Sequence, residues 1–325
     1  MRVAAPSGGT RSVQQNKTDE LNGLMPSPAV AQRLRHDARY GLAEQVAPGV
    51  LRVLADNAKD YTGAGTNTYI VGDDSVMIID PGPDCPAHMA AVMRAVGTRP
   101  ITGIFVTHTH QDHSPAARAL KAVTGARTYG FGALSPDILA LTDEDVDPDF
   151  EPDERLADGH CVGDGMWRLT ALHTPGHFPN HLCYQLAHQG LLFSGDHVMG
   201  WSTTVVVPPL GNLADYMMSL GKLEAESARL MLPSHGPEVA DPTGRIQAVR
   251  AHRLMRHDQI IDCLRRGIRD VDAIVAEIYV GLTPRLIDAA KGCVRAHLEL
   301  IEKGGAAGEK PAYPVSRPNA PSATA

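Results

Sequence analysis

The sequence predicts an α/β domain in which strands and helices mix along one chain, followed by a small helical module. Three observations predict it. Short β-runs closed by turn residues recur through the middle of the chain, helix-period segments separate them, and after residue 241 the texture turns almost wholly helical. At 325 residues the chain is long enough for one large domain or two of ordinary size.

In chain order, residues 1–45 mix Ser, Gln, Gly, Arg and Asp with little periodicity and read as a flexible lead-in, with one short helix near "AVAQRLRHDARY". The α/β domain spans 46–241. "TNTYIVG" and "SVMIIDPG" read as a hairpin pair and "ITGIFVTH" as a buried strand. "MWRLTALHTPGH", "HLCYQLAHQGLLFSGDH" and "RLMLPSHGP" have the same form. "CPAHMAAVMRAVG", "SPAARALKAVTG" and "NLADYMMSLGKLEAE" carry the helical pattern between them. The module, 242–303, contains a long segment from "DPTGRIQAVRAHRLMRH" onward, then "VDAIVAEIYVG" and "TPRLIDAAKGCVRAHLELIEKG". Thr283 before Pro284 is placed to cap the last helix, with Pro at its first position. Residues 304–325 are rich in Pro, Ala and Gly and read as a disordered tail.

An apolar fraction of 43% and a charged fraction of 21% are those of a soluble globular protein. The net charge of −7 gives no overall case for nucleic-acid or anionic-membrane binding, though it leaves room for a local basic groove. No segment approaches a membrane-spanning run, and the N-terminus lacks the apolar core of a secretion signal. Five scattered cysteines without C-x-x-C spacing form neither a disulfide framework nor a thiolate metal site. A cytoplasmic protein is expected.

The chemistry concentrates in "VTHTHQDHSP", residues 106–115, where His108, His110, Asp112 and His113 follow an apolar strand. Later strands also end in His or Asp: "LHTPGH", "LLFSGDH" and "LPSHG". Residues two apart on an extended segment face the same side, so His108 and His110 can share one metal while Asp112 and His113 turn toward a second. Imidazole and carboxylate donors without thiolate suit zinc, and also iron or manganese.

"THTHQDH" resembles the H-x-H-x-D-H signature of the metallo-β-lactamase fold superfamily. His177 in "HTPGHFPNH", Asp196 in "FSGDH" and His235 in "PSHG" then match in order, as does Asp80 in "IIDPG". The resemblance implies a four-layer αββα sandwich holding two zinc ions. Carried over, His108, His110 and His177 hold the first metal, Asp112, His113 and His235 the second, and Asp196 bridges them beside a hydroxide. Asp112 is the expected catalytic residue, orienting the nucleophile and relaying its proton. Asp80 would fix a ligand imidazole; a turn-initiating aspartate before Pro-Gly is the equal alternative. His181 is a candidate for substrate contact or ligand support, His173 for shaping the "TPGH" turn, and Trp201, Thr203 and Thr204 for the substrate pocket. His197 is left outside the ligand set.

His110 in place of a glutamate separates the chain from the flavin-linked diiron branch. The short run from Asp196 to His235 leaves no room for the insertion of the β-CASP nucleases. Together, "TNTYIVG", "HTPGHFPNHLCY" and "HVMGWSTTVVVPPLG" resemble the β-lactamase-like protein 2 group, whose C-terminal winged-helix-like module residues 245–303 resemble. The resemblance implies a dinuclear hydrolase attacking an ester, thioester or lactone carbonyl of a small-molecule or acyl-carrier substrate. A metal-dependent endoribonuclease cutting single-stranded RNA is the alternative, supported by "RAHRLMRH" and "LRRGIR", although those arginines fit an ordinary solvated helix face as well. Hydroxyacylglutathione hydrolysis of the glyoxalase II type and weak β-lactamase action are minor alternatives. A homodimer stays open, and no membrane partner is expected.

Overall fold

The computed structural model describes residues 28–282 and 284–304. Helix α1 (Pro28–Asp37) precedes a seven-stranded sheet of β1 (Ala43–Ala47), β2 (Val50–Leu54), β3 (Asn67–Val71), β4 (Val76–Ile79), β5 (Ile101–Phe105), β6 (Thr128–Gly130) and β7 (Glu154–Arg155), in that spatial order. β1 to β4 are antiparallel neighbours, with short turns from β1 to β2 and from β3 to β4 and a longer loop, residues 55–66, from β2 to β3. From β4 to β7 the pairing is parallel, because α2 (Pro86–Val96) and α3 (Ala116–Thr124) carry the chain back between strands. A short helix, α4 (Pro136–Leu139), lies in the long connection to β7.

The second sheet contains β8 (Cys161–Val162), β9 (Leu169–His173), β10 (Leu182–Leu186), β11 (Leu191–Gly195) and β12 (Leu230–Pro233), ordered β12-β11-β10-β9-β8. Its one parallel pair, β11 with β12, is linked through α5 (Leu213–Ala225). The chain then forms α6 (Pro242–Arg265), α7 (Val271–Ile278), a 3-10 turn at Pro284–Leu286, and α8 (Ile287–Lys303).

Alternation along the strands sets the layers. Tyr69, Phe105, Tyr184, Phe193 and Leu232 point between the sheets and form one core. Their neighbours Ile70 and Ile104 face outward against Val92 and Val96 of α2 and Leu120 of α3. On the opposite side Cys183, Leu192 and Met231 meet Tyr216 and Leu220 of α5, Ile246 and Val249 of α6, and Ala296 of α8. The result is the αββα sandwich, with the C-terminal helices packed on its second outer face. A separate small core of Ile260, Ile274, Val275, Tyr279 and Val294 joins α6, α7 and α8.

Several expectations change. Strand β1 starts at Ala43, inside the stretch read as lead-in, and pairs with β2 across a turn at Pro48 and Gly49. Residues 1–27, the tail beyond 304 and the capping residue Thr283 lie outside the described residues; α8 itself starts at Ile287, after the 3-10 turn. After β12 the described residues hold helices and no paired strands of a wing. The solvated face expected for "RAHRLMRH" and "LRRGIR" holds only in part: Arg265, Arg266 and Arg269 are exposed, whereas Arg253 and Arg256 are buried, as are His252 and His257. Among the described residues no helix is long and apolar enough to cross a membrane.

Candidate metal centre

Four strand ends meet at one edge of the sandwich. β5 runs into the loop carrying His108, His110, Asp112 and His113, β9 leads to His177, β11 to Asp196 and β12 to His235. Donor atoms of His108, His110, His177 and Asp196 all lie within 4.8 Å of one another, as do those of Asp112, His113 and His235. Asp196 joins the two groups. Its Oδ2 is 3.6 Å from His113 Nε2 and 3.8 Å from His177 Nε2, and its Oδ1 is 3.3 Å from His235 Nε2. Asp112 Oδ2 lies 3.5 Å from His113 Nε2 and 3.3 Å from His235 Nε2.

Contacts on the outer nitrogens set the ring orientations. His177 Nδ1 donates to Val205 O at 2.7 Å, His235 Nδ1 to Gly65 O at 3.0 Å and His113 Nδ1 to Asp80 Oδ2 at 2.8 Å. His110 Nε2 faces Glu144 Oε2 at 3.2 Å, which leaves its Nδ1 2.7 Å from His108 Nε2. A carbonyl or carboxylate behind an imidazole fixes its tautomer and leaves the inner lone pair free for a metal. His113 Nε2, His177 Nε2 and Asp196 Oδ1 are buried and have no hydrogen-bond partner. Nitrogen and carboxylate donors of this number, with orphaned atoms converging, fit a pair of divalent cations.

Local backbone holds these side chains in place. Asp80, at the end of β4, adopts a left-handed φ of 49° and is fully buried. It accepts hydrogen bonds from Thr107 N and Oγ1, His113 Nδ1 and Ser234 Oγ, tying β4 to the loops after β5 and β12. The turn before His177 needs Gly176: its φ is 132°, and a Cβ there would lie 2.3 Å from Tyr216 N.

The electrostatics divide the ligand set. Burial, reinforced by His110, lowers His177 to about 4, and burial likewise holds His108 well below the usual imidazole range. Burial also opposes the charged forms of His113 and His235, but the carboxylates outweigh it. Asp112, Asp196 and Asp80 raise His113, and Asp196 and Asp112 raise His235 to about 10. Burial pushes Asp112 and Asp196 upward, yet His113 and His235 hold both well below the ordinary carboxylate range. Cations binding here would displace the imidazole protons, so metal uptake is linked to proton release.

Other singled-out residues take distinct places. His181 is fully buried and supports Asp196: its Nε2 accepts from Asp196 N at 3.1 Å, and its Nδ1 pairs with Thr174 Oγ1 at 2.9 Å. That leaves it no nitrogen for substrate. His173 Nε2 donates to Pro179 O, bracing the loop that carries His177, and its ring stacks on Phe131. His197 is buried against the Tyr216 ring. Trp201, Thr203 and Thr204 line a cavity of about 500 Å³ together with His110, Asp112, His177, Asp196 and His235.

Two contributors escape the sequence reading. Thr66 Oγ1 donates to Asp112 Oδ2 at 2.8 Å and is itself held by Asn57, yet "TNTYIVG" reads as a strand and a family likeness with no role for Thr66 at the site. Glu144 sits in the acidic run "TDEDVDPD", which has no period and no turn signal pointing inward.

Fold and site together define a hydrolase of the αββα class. Residues 61–237 match the metallo-beta-lactamase superfamily, and the chain belongs to it. An atrochrysone carboxyl ACP thioesterase of Paecilomyces divaricatus is 32% identical over 252 residues, 77% of this chain and 74% of that one. The beta-lactamase-like protein 2 homolog of Drosophila melanogaster is 30% identical over 276 residues, 80% of this chain and 90% of its own. The solved structure of a beta-lactamase domain protein from Burkholderia ambifaria superposes with a TM-score of 0.69 at 25% identity, covering 84% of this chain and 94% of that one.

Proposed function

We propose that this chain uses a pair of divalent cations, zinc before iron or manganese, to hydrolyse an activated acyl bond. The substrate is a thioester on an acyl carrier, or a small-molecule thioester, ester or lactone. The observation that carries this reading is the double cluster of anchored donors opening into one cavity. The similarity to the atrochrysone carboxyl ACP thioesterase of Paecilomyces divaricatus supports it.

His108, His110 and His177 would hold one cation, Asp112, His113 and His235 the other, with Asp196 shared. When bound, such cations lower the pKa of water and stabilise negative charge on the attacked oxygen. Thr66 holds Asp112 through Oδ2. The Asp112 carboxylate orients the attacking water, takes its proton and returns it to the leaving thiolate or alkoxide. Asp80 and Glu144 keep His113 and His110 turned inward, while His181 fixes the main chain of Asp196. Trp201, Thr203 and Thr204 bind the acyl side of the substrate.

RNA is disfavoured as substrate. Asp60, Glu144, Asp145 and Asp288 line the cavity and would repel a phosphate backbone; of the arginines expected to attract one, Arg253 and Arg256 are buried, and the exposed Arg265, Arg266 and Arg269 do not line the cavity. The test is a panel of acyl-pantetheine, lactoyl-glutathione, lactone, β-lactam and single-stranded RNA offered to the metal-loaded protein. Thioester turnover that a chelator abolishes and zinc restores is expected. Cleavage of RNA alone, or no turnover after loading with zinc, iron and manganese in turn, overturns the reading.

A further inference from the structure

The geometry points to the C-terminal helices as one wall of an acyl-binding chamber, so that this hydrolase selects a bulky, uncharged, apolar acyl group. The inference deepens the thioester reading and rests on it for the identity of the reacting bond. One cavity is lined both by the donor cluster and by Tyr279, Leu282, Leu286, Ala289, Ala290 and Cys293. These six belong to the end of α7, the link after it and α8. Ala289, Ala290 and Cys293 lie on neighbouring positions of α8, and their small side chains leave the volume that larger ones would fill. A cavity of about 500 Å³ suits a ligand well beyond an acetyl group.

The opposite wall is the loop after Asp196, and α6 and α8 hold it. Arg245 donates to Met199 O and Ser202 O at 3.0 and 2.6 Å, and Arg253 donates to Thr204 O at 2.5 Å. α8 approaches so closely that a Cβ on Gly292 would lie 2.5 Å from Val207 Cγ2. The helices therefore shape the chamber on both sides. Apart from Asp112 and Asp196 of the donor cluster, its carboxylates belong to exposed or half-buried residues, Asp60, Glu144, Asp145 and Asp288, which disfavours an acidic acyl group at the entrance.

The test uses the full chain with Trp167→Phe, which leaves Trp201, on the chamber wall, as its one tryptophan. S-decyl-pantetheine, a thioether that cannot be hydrolysed, should shift Trp201 fluorescence saturably and bind at least tenfold tighter than S-methyl-pantetheine. With acyl-pantetheine thioesters, kcat/KM should rise about fourfold per methylene over the first few carbons, the ~0.8 kcal/mol of a buried CH2. Ala289→Phe, at a half-buried position, should reduce the decyl-to-methyl affinity ratio by at least tenfold; if that variant does not fold, Cys293→Met makes the same test. Equal affinity for the two thioethers, or an affinity ratio unchanged in a folded variant, overturns the chamber. Tight decyl binding without cleavage of any thioester supports the chamber and overturns the proposed reaction. Thioester turnover indifferent to chain length does the reverse.

Discussion

Asp80 Oδ2 lies 2.8 Å from His113 Nδ1, and the same oxygen also accepts Thr107 Oγ1 and Ser234 Oγ. The other oxygen accepts Thr107 N. Every partner is a donor, so in Asp80→Asn the amide NH2 must face a donor in either orientation. The variant should lose about 2–3 kcal/mol of stability from unmatched buried groups. It should also bind metal about 10–100-fold more weakly, because His113 loses its anchor. Thermal melts and metal titration of the purified variant check both effects; unchanged metal affinity would mean that Asp80 serves the fold alone.

Asp196 stands between both donor groups, which sets it apart from the other six ligand candidates. Its replacement by Ala should lower bound metal from two ions per chain toward one or none. Hydrolysis should fall by more than the about 100-fold that an outer supporting residue costs. Elemental analysis after dialysis measures the first quantity, and steady-state kinetics the second. Two ions retained by Asp196→Ala would contradict a shared ligand.

Arg253 is 3% exposed, donates to Thr204 O and lies over the Tyr216 ring. The next carbonyl, Val205 O, is the one that orients His177. Arg253→Met keeps much of the packing and removes the donor. The loop should loosen, with metal affinity falling about tenfold as His177 loses its fixed anchor. The same loosening should raise KM more than it lowers kcat, since the loop also walls the cavity. A variant with native metal affinity and native KM would separate α6 from the site.

The seven ligand candidates were legible because their signals are local, and the sandwich because those signals together resemble a known family's; periodicity alone gave only an α/β mixture. A strand ending in His or Asp beside Gly or Pro is readable in ten residues, and "THTHQDH" is dense enough to exceed chance. The helical module was legible as helix but not in its purpose. α6 buries Arg253, Arg256, His252 and His257 on the face that a binary pattern reserves for apolar residues, so its arginines resembled a solvated face. Thr66 and Glu144 act through contacts 46 and 34 positions away, and no short-range period announces such a pairing.

Buried histidines outside the ligand set, His88 and His252 among them, give the fold its own pH dependence. Burial lowers His88 to about 4, and burial with the nearby Arg253 and Arg256 lowers His252 to about 2. Both titrate near 6.5 in the unfolded chain, so below that pH the unfolded state binds more protons than the folded one. Their contribution is complete above about pH 6.5 and declines as pH falls toward 4. Each adds a slope of up to about 1.4 kcal/mol per pH unit in that window. His252→Leu removes one of these sites, so its stability should fall less steeply with acid than that of the parent. Urea unfolding from pH 8 to pH 4.5, with chelator present to hold metal linkage constant, measures the difference. Equal slopes in the two proteins would show that His252 is not held neutral by the fold.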